Sequence, residues 1–259
     1  ASITTTRAFE VVPEGFPYKT TDQAAVVTNC LRMISQKRAV RIVTADRGRG
    51  KSAALGIIAA RLMNGDAVEI ILTAPSRSSV QSVFSMIRML LPSEQLLCGR
   101  DNWVIGKSRM RFILPDLLIQ QRPAADLLLV DEAAAIPAPV LLNMLDYPRV
   151  IFASTLHGYE GTGQGFAVRF MPLLDKRVPE RELLRMEQPV RWAEDDPLER
   201  FTYQALLLDA EPVQFSTDQP DQDVDLESLS FRCLYSDELV ANTSLLKQLF
   251  GLLILAHYR

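Results

Sequence analysis

VRIVTADRGRGKSAALGIIAARLM, residues 40–63, decides how the rest of the chain is read. Val40 to Thr44 is a short β-branched strand that runs directly into ADRGRGKS (45–52), and a helix is expected from Lys51 to about Met63, ended by Gly65. A loop that wraps a phosphate needs glycines so that backbone N–H groups can converge. It also needs a lysine for the outer phosphate oxygens, a Ser/Thr hydroxyl for Mg²⁺, and a helix N-terminus behind them. Gly48, Gly50, Lys51 and Ser52 supply these parts, with Ala45 where the strict pattern has glycine. GRGKSA (48–53) also fits the dinucleotide fingerprint GxGxxA. That motif wants no lysine and an acid ending the next strand, whereas VEIILT (68–73) ends on Thr73 with Glu69 inside it.

A second stretch, LLLVDE (127–132), places two acids at the end of an apolar strand. Alone, such a pair could simply open a helix, where acids suit the dipole. Together with a phosphate loop, Asp131 reads as a Mg²⁺ ligand beside Ser52, and Glu132 as the group that orients and activates an attacking water. Lys51 and Glu132 are thus the candidate catalytic residues. Ser154 and Thr155 end the buried strand RVIFAST (149–155), where a hydroxyl could sense a γ-phosphate or serve only as a strand-end polar group. Gln23, in TTDQ at the start of a helix, has an amide able to read adenine N6 and N7; simple helix capping by Thr21 or Asp22 is the alternative. Arg191, in QPVRW (188–192), could clamp a phosphate or form an exposed ion pair.

Working outward, apolar residues recur at helical spacing from Asp22 to about Gln36, and further helices are expected over Ser78–Leu91, Pro137–Leu145 and from Ser244 onward. Strands are expected at 68–73, 109–114, 127–130, 149–155, within 183–192, and at FRCLY (231–235). Continuous apolar strands alternating with helices imply a mostly parallel sheet covered on both faces. The expected fold is α/β, a doubly wound RecA-like P-loop NTPase. Its expected limits are a lead-in at 1–20, the ATPase domain at 21–208, and a small C-terminal extension at 209–259.

Composition narrows the function classes. The 259 residues are 48% hydrophobic and 23% charged, enough to bury a substantial core. The longest apolar run, Leu249–Ala256, is interrupted by Gly251 and is less than half a membrane span, so no membrane partner is expected. Net charge is −3, but residues 1–208 carry +3 and residues 209–259 carry −6; residues 209–227 hold seven acids and no base. That leaves room for a local basic face, for which Lys107, Arg109 and Arg111 form one candidate cluster and Lys176, Arg177, Arg181 and Arg185 another. Cys30, Cys98 and Cys233 are widely spaced and lack any CxxC, which suits a reducing cytoplasm and excludes a zinc ribbon. With only His157 and His257 available, a multi-histidine metal site is not expected.

ADRGRGKS, VDEAAAIPAP (130–139), STLHGYEGTGQGF (154–166) and QPVRW, in this order, resemble the bacterial tRNA(Met) cytidine acetyltransferase family, specifically its ATPase/helicase-like module. The resemblance implies use of ATP and Mg²⁺ to help form N4-acetylcytidine at the wobble position of elongator methionine tRNA, with acetyl-CoA as donor. By this resemblance the ATP-binding residues are Gln23, the loop from Ala45 to Ala54 (Asp46, Arg47, Gly48, Arg49, Gly50, Lys51, Ser52 and Ala53 between them) and Arg191. Asp131 and Glu132 match the Mg²⁺ and water-activating acids. The chain shows no acetyl-CoA loop, so acetyl transfer is expected to reside in an acetyltransferase domain of the same polypeptide outside this sequence. GYEGTGQG (158–165) would be a loop coupling nucleotide to RNA, or a plain connector. The alternatives are a stand-alone RNA helicase, which one P-loop and one DE strand make hard to build, and a nucleotide-dependent scaffold without turnover.

Overall fold

A computed structural model describes residues 15–65, 67–155, 166–208, 210 and 230–257. The glycine-rich stretch 158–165, most of the acidic stretch 209–227 and most of the lead-in lie outside the described residues. The chain packs as two units, Ala1–Asp196 and Pro197–Arg259.

The first unit is built on one eight-stranded sheet. In chain order its strands are β1 (Ala39–Ala45), β2 (Glu69–Thr73), β3 (Leu96–Cys98), β4 (Asn102–Ile105), β5 (Ser108–Phe112), β6 (Leu127–Val130), β7 (Arg149–Thr155) and β8 (Glu182–Met186). They lie side by side as β3-β4-β5-β2-β6-β7-β1-β8. The six from β5 to β8 are parallel, and β3 and β4 extend the sheet antiparallel. The doubly wound, mostly parallel sheet therefore stands as read. Central strands are apolar on both sides because both sides are covered: on β6, Leu127 and Leu129 enter one core, while Leu128 and Val130 enter the other.

Helices α1 (Thr21–Arg32), α2 (Lys51–Met63) and α3 (Gln81–Leu90) cover the first face. On the other face pack α4 (Pro115–Gln121), α5 (Ala138–Met144), a π-helical turn at Phe166–Phe170 and α6 (Met171–Arg177). The hairpin β3–β4 and helix α4 fall where the sequence shows no clear period. Their burial depends on long-range contacts: Trp103 of β4 stacks on Phe84 of α3 at 4.9 Å between centroids. The second unit is helical among its described residues, with α7 (Pro197–Ala205), α8 (Ser236–Ala241) and α9 (Thr243–His257). The segment 231–235, expected as a strand, forms none. Phe231 and Tyr235 are solvent-exposed and no ladder partner lies beside them among the described residues, so β-propensity there has nothing to pair with.

The close approach of α2 to α3 rests on Gly56. A Cβ there would lie 2.6 Å from Met86 Cβ and 2.7 Å from the Val83 carbonyl oxygen, neither of which can swing aside. Alanine would gain up to ~1 kcal/mol in helix propensity, but overpacking against backbone costs about 1–3 kcal/mol. Gly56→Ala is therefore expected to lower the thermal unfolding temperature; an unchanged or raised midpoint would contradict this packing.

Candidate nucleotide site

Six parallel strands place their carboxyl ends on one edge, and the candidate residues gather there. β1 ends at Ala45, level with Thr155 of β7 and Met186 of β8. The chain then turns through 46–50 into α2. Gly48 and Gly50 have φ of 84° and 85°, in the left-handed region that a side chain disfavours. Gly50 caps α2, so the amides of the loop and of the first helical turn converge at the positive end of a 13-residue helix.

Lys51 lies at that helix start, and its ammonium donates to the carbonyls of Ala45 (2.8 Å) and Asp46 (2.9 Å). Burial pushes its pKa down to about 8, opposed by the nearby Asp131 and Asp46 carboxylates. Asp131, one residue beyond β6, is buried, and burial raises its carboxyl to about 6; the Ser52 hydroxyl and the Glu132 amide beside it oppose the shift. Its Oδ1 accepts from the Glu132 N–H at 3.0 Å, while Oδ2 is buried without a hydrogen-bond partner. An orphaned carboxylate oxygen beside a P-loop hydroxyl is the donor set a hard divalent cation takes. Ser52 and Asp131 thus fit Mg²⁺. Glu132 is exposed and takes a left-handed conformation, φ 49°, ψ 43°, which is uncommon for a non-glycine residue.

The supporting residues separate. Thr155 is half-exposed at the strand tip beside Ala45, whereas Ser154 is fully buried and directs its hydroxyl to the Thr155 carbonyl (3.4 Å). Gln23 is 1% exposed, and its amide is committed at both ends. Oε1 accepts from the Lys19 N–H at 2.9 Å, and Nε2 donates to the Gly50 carbonyl at 3.1 Å. Its place is under the loop, and the helix cap is Thr20 rather than Thr21 or Asp22. Within the loop Asp46 is half-buried, Arg47 exposed and Arg49 buried. Ala53 and Ala54 continue into the first turn of α2, and Arg191 is exposed just past β8.

The residues around Arg191 carry a contact that sequence reading missed. Val190 donates its N–H to the Gly48 carbonyl (3.0 Å), and the benzo edge of Trp192 lies so close to Gly48 that a Cβ there would sit 2.6 Å from Cη2. The Arg49 guanidinium is 5.7 Å from the Trp192 ring centroid. This strap is held at its start by α1: Gln188 Oε1 accepts from the Thr21 hydroxyl (2.8 Å) and the Asp22 N–H, while Asp22 Oδ2 accepts from the N–H groups of Glu187 and Gln188. No local signal could have revealed it, because the partners are more than 140 residues apart.

The basic clusters are partly neutralised. Arg109 and Arg111 share a face of β5 and both reach Glu69, at 3.9 and 3.8 Å, while Lys107 belongs to the preceding turn. Arg181 pairs with Asp175 and Arg185 with Glu187. Among the described residues no helix is long and apolar enough to cross a membrane.

Fold and loop together define an α/β protein of the P-loop nucleotide-binding class. The large terminase of a thermophilic bacteriophage, in one crystal form, shares this fold with a TM-score of 0.50 at 16% identity, over 71% of this chain and 49% of that one. Residues 42–209 match the family described as RNA cytidine acetyltransferase NAT10/TcmA, helicase domain, and the chain belongs to that family. Its relatives include the tRNA(Met) cytidine acetyltransferases TmcA of Nitrosococcus halophilus, 45% identical over 93% of this chain, and of Vibrio cholerae, 38% identical over 92%. The chain spans about a third of the length of these relatives, 32% and 33% respectively.

The buried carboxyl sets a pH dependence. Below its ordinary pKa of 3.8, Asp131 is protonated folded or unfolded; as pH rises through about 6 the folded chain must ionise it out of water, and stability is lost. Without nucleotide or metal, Asp131→Asn is therefore expected to melt higher than the unsubstituted chain at neutral pH, with the gap closing as pH falls from about 6 toward 3.8. Melting curves across that range check it; a variant less stable at neutral pH would contradict the sign.

Proposed function

We propose that this chain is the ATP-hydrolysing module of a tRNA(Met) cytidine acetyltransferase, acting in the cytoplasm on elongator methionine tRNA. The observation that carries the reading is the orphaned Asp131 oxygen beside Ser52 and Lys51 at a glycine-rich helix N-terminus. The loop amides between Ala45 and Ala54 receive the phosphates. The Lys51 ammonium has three donors and uses two on loop carbonyls, which leaves one for a phosphate oxygen; moving toward the phosphates releases the others. Ser52 and Asp131 would hold Mg²⁺, which supplies charge neutralisation on the phosphates when bound. Glu132 orients the attacking water and takes its proton, Thr155 stands nearest to a γ-phosphate sensor, and Arg191 offers a guanidinium to the nucleotide.

Gln23 contributes by shaping the loop through Gly50. The ATPase module is taken to be residues 21–208. Membership of the acetyltransferase family supports tRNA as the partner and formation of N4-acetylcytidine as the purpose. Transfer from acetyl-CoA would lie in the part of the polypeptide outside this chain. Hydrolysis would then move the tRNA or its partner domain between two arrangements.

The test is ATP turnover by the chain with and without methionine tRNA. Lys51→Ala is expected to abolish turnover, and Glu132→Gln to lower it on the order of a hundredfold or more while retaining ATP binding. Turnover insensitive to both substitutions would exclude this site. A mutant-sensitive rate indifferent to tRNA would move RNA recognition outside these 259 residues.

A further inference from the structure

We infer that Trp192 is a nucleotide-contacting residue, its indole forming a wall for the base of a nucleotide whose phosphates lie in the loop. The inference rests on reading that loop as a nucleotide site and adds the part that touches the base. Three observations carry it. First, the benzo edge of the indole is wedged on Gly48, and the Arg49 guanidinium lies 5.7 Å from the ring centroid, which brings an aromatic and a cation together against the loop backbone. Aromatic faces and guanidinium planes are the surfaces on which nucleobases stack. Second, Trp192 is only half-buried, so the residue keeps exposed surface beside the loop even with Gly48 covered.

Third, the residue that sequence reading offers for the base, Gln23, is 1% exposed and has both ends of its amide engaged with Lys19 and Gly50. The strap is also a built element rather than a passing tail. Its start is tied to α1 through Gln188 and Asp22, and its middle to the loop through the Val190 N–H. Trp192 is thereby presented at a set height over the loop, with little ordering left to do on binding. Every base has a π face, so such a wall discriminates little between purines: ATP and GTP gain alike from it, and any preference between them must come from elsewhere.

The contact can be separated from simple support of the loop by using a ligand with no base. Binding of ATP, GTP and inorganic tripolyphosphate is measured by calorimetry on the unsubstituted chain, Lys51→Ala, Trp192→Phe, Trp192→Leu and Trp192→Ala. Trp192→Ala and Trp192→Leu are expected to weaken ATP and GTP on the order of tenfold and to leave tripolyphosphate within about twofold. Trp192→Phe keeps most of the affinity because it keeps a flat ring. Leucine retains apolar cover on Gly48, so it keeps the comparison informative if alanine disturbs the fold. Equal loss of all three ligands in the leucine variant would make Trp192 a prop for the loop and overturn the inference, as would no loss at all. Failure of the unsubstituted chain to bind any of the three, or binding indifferent to Lys51→Ala, would overturn the loop reading itself.

Discussion

Lys51 and Asp131 are opposite charges held largely out of water at the carboxyl edge of one sheet, and the rest of the first unit serves to keep them there. Burial pushes the lysine down to about 8 and the aspartate up to about 6, and the attraction between them opposes both shifts only in part, less for Asp131 than the Ser52 hydroxyl and the Glu132 amide do. Neighbouring polar groups offset only part of the cost of burying either charge. Their placement follows from strand order: β7 lies between β1 and β6, so the loop after β1 and the acid after β6 flank one strand tip.

The loop itself is shaped from two sides. Gln23 approaches Gly50 from α1, and Val190 and Trp192 approach Gly48 from the strap after β8. Both glycines sit at positive φ, and both are crowded where a Cβ would be, by Gln23 Nε2 at 2.8 Å and Trp192 Cη2 at 2.6 Å. The positive φ is what calls for glycine at both positions, and the side chains of Gln23 and Trp192 occupy the space that a Cβ would take. The hydrogen bonds of Thr21, Asp22 and Gln188 couple the two clamps, so the approach to the loop from α1 is not independent of the approach from β8.

Away from this edge the polar groups hold the frame. Arg41, buried on β1, reaches Glu182 of β8 at 3.0 Å and Asn29 of α1 at 2.9 Å, tying the edge strand to the helix that carries Gln23. Cys30 lies in the same region, and burial pushes its thiol up to about 12, which makes it an inert core residue. The basic residues that suggested an RNA face on charge alone are drawn toward Glu69, Asp175 and Glu187. Charge counting is blind to such pairing.

The sequence alone determined the parts whose physics is local. ADRGRGKS between a strand and a helix has the glycines, lysine and hydroxyl that phosphate binding needs, and LLLVDE has an apolar strand ending in acid; period and composition made the parallel α/β sheet legible with them. What depends on distant partners had to wait for the tertiary structure. The hairpin β3–β4 is stabilised by Trp103 against Phe84, FRCLY finds no strand to pair with, and Ser154 and Thr155 part ways by the alternation of one strand between two cores. The amide of Gln23 is committed by the Gly50 carbonyl, and Trp192 becomes part of the loop's surroundings only because β8 docks beside β1. A motif states which atoms the chemistry requires. Only the packing of segments more than a hundred residues apart decides which other atoms stand next to them.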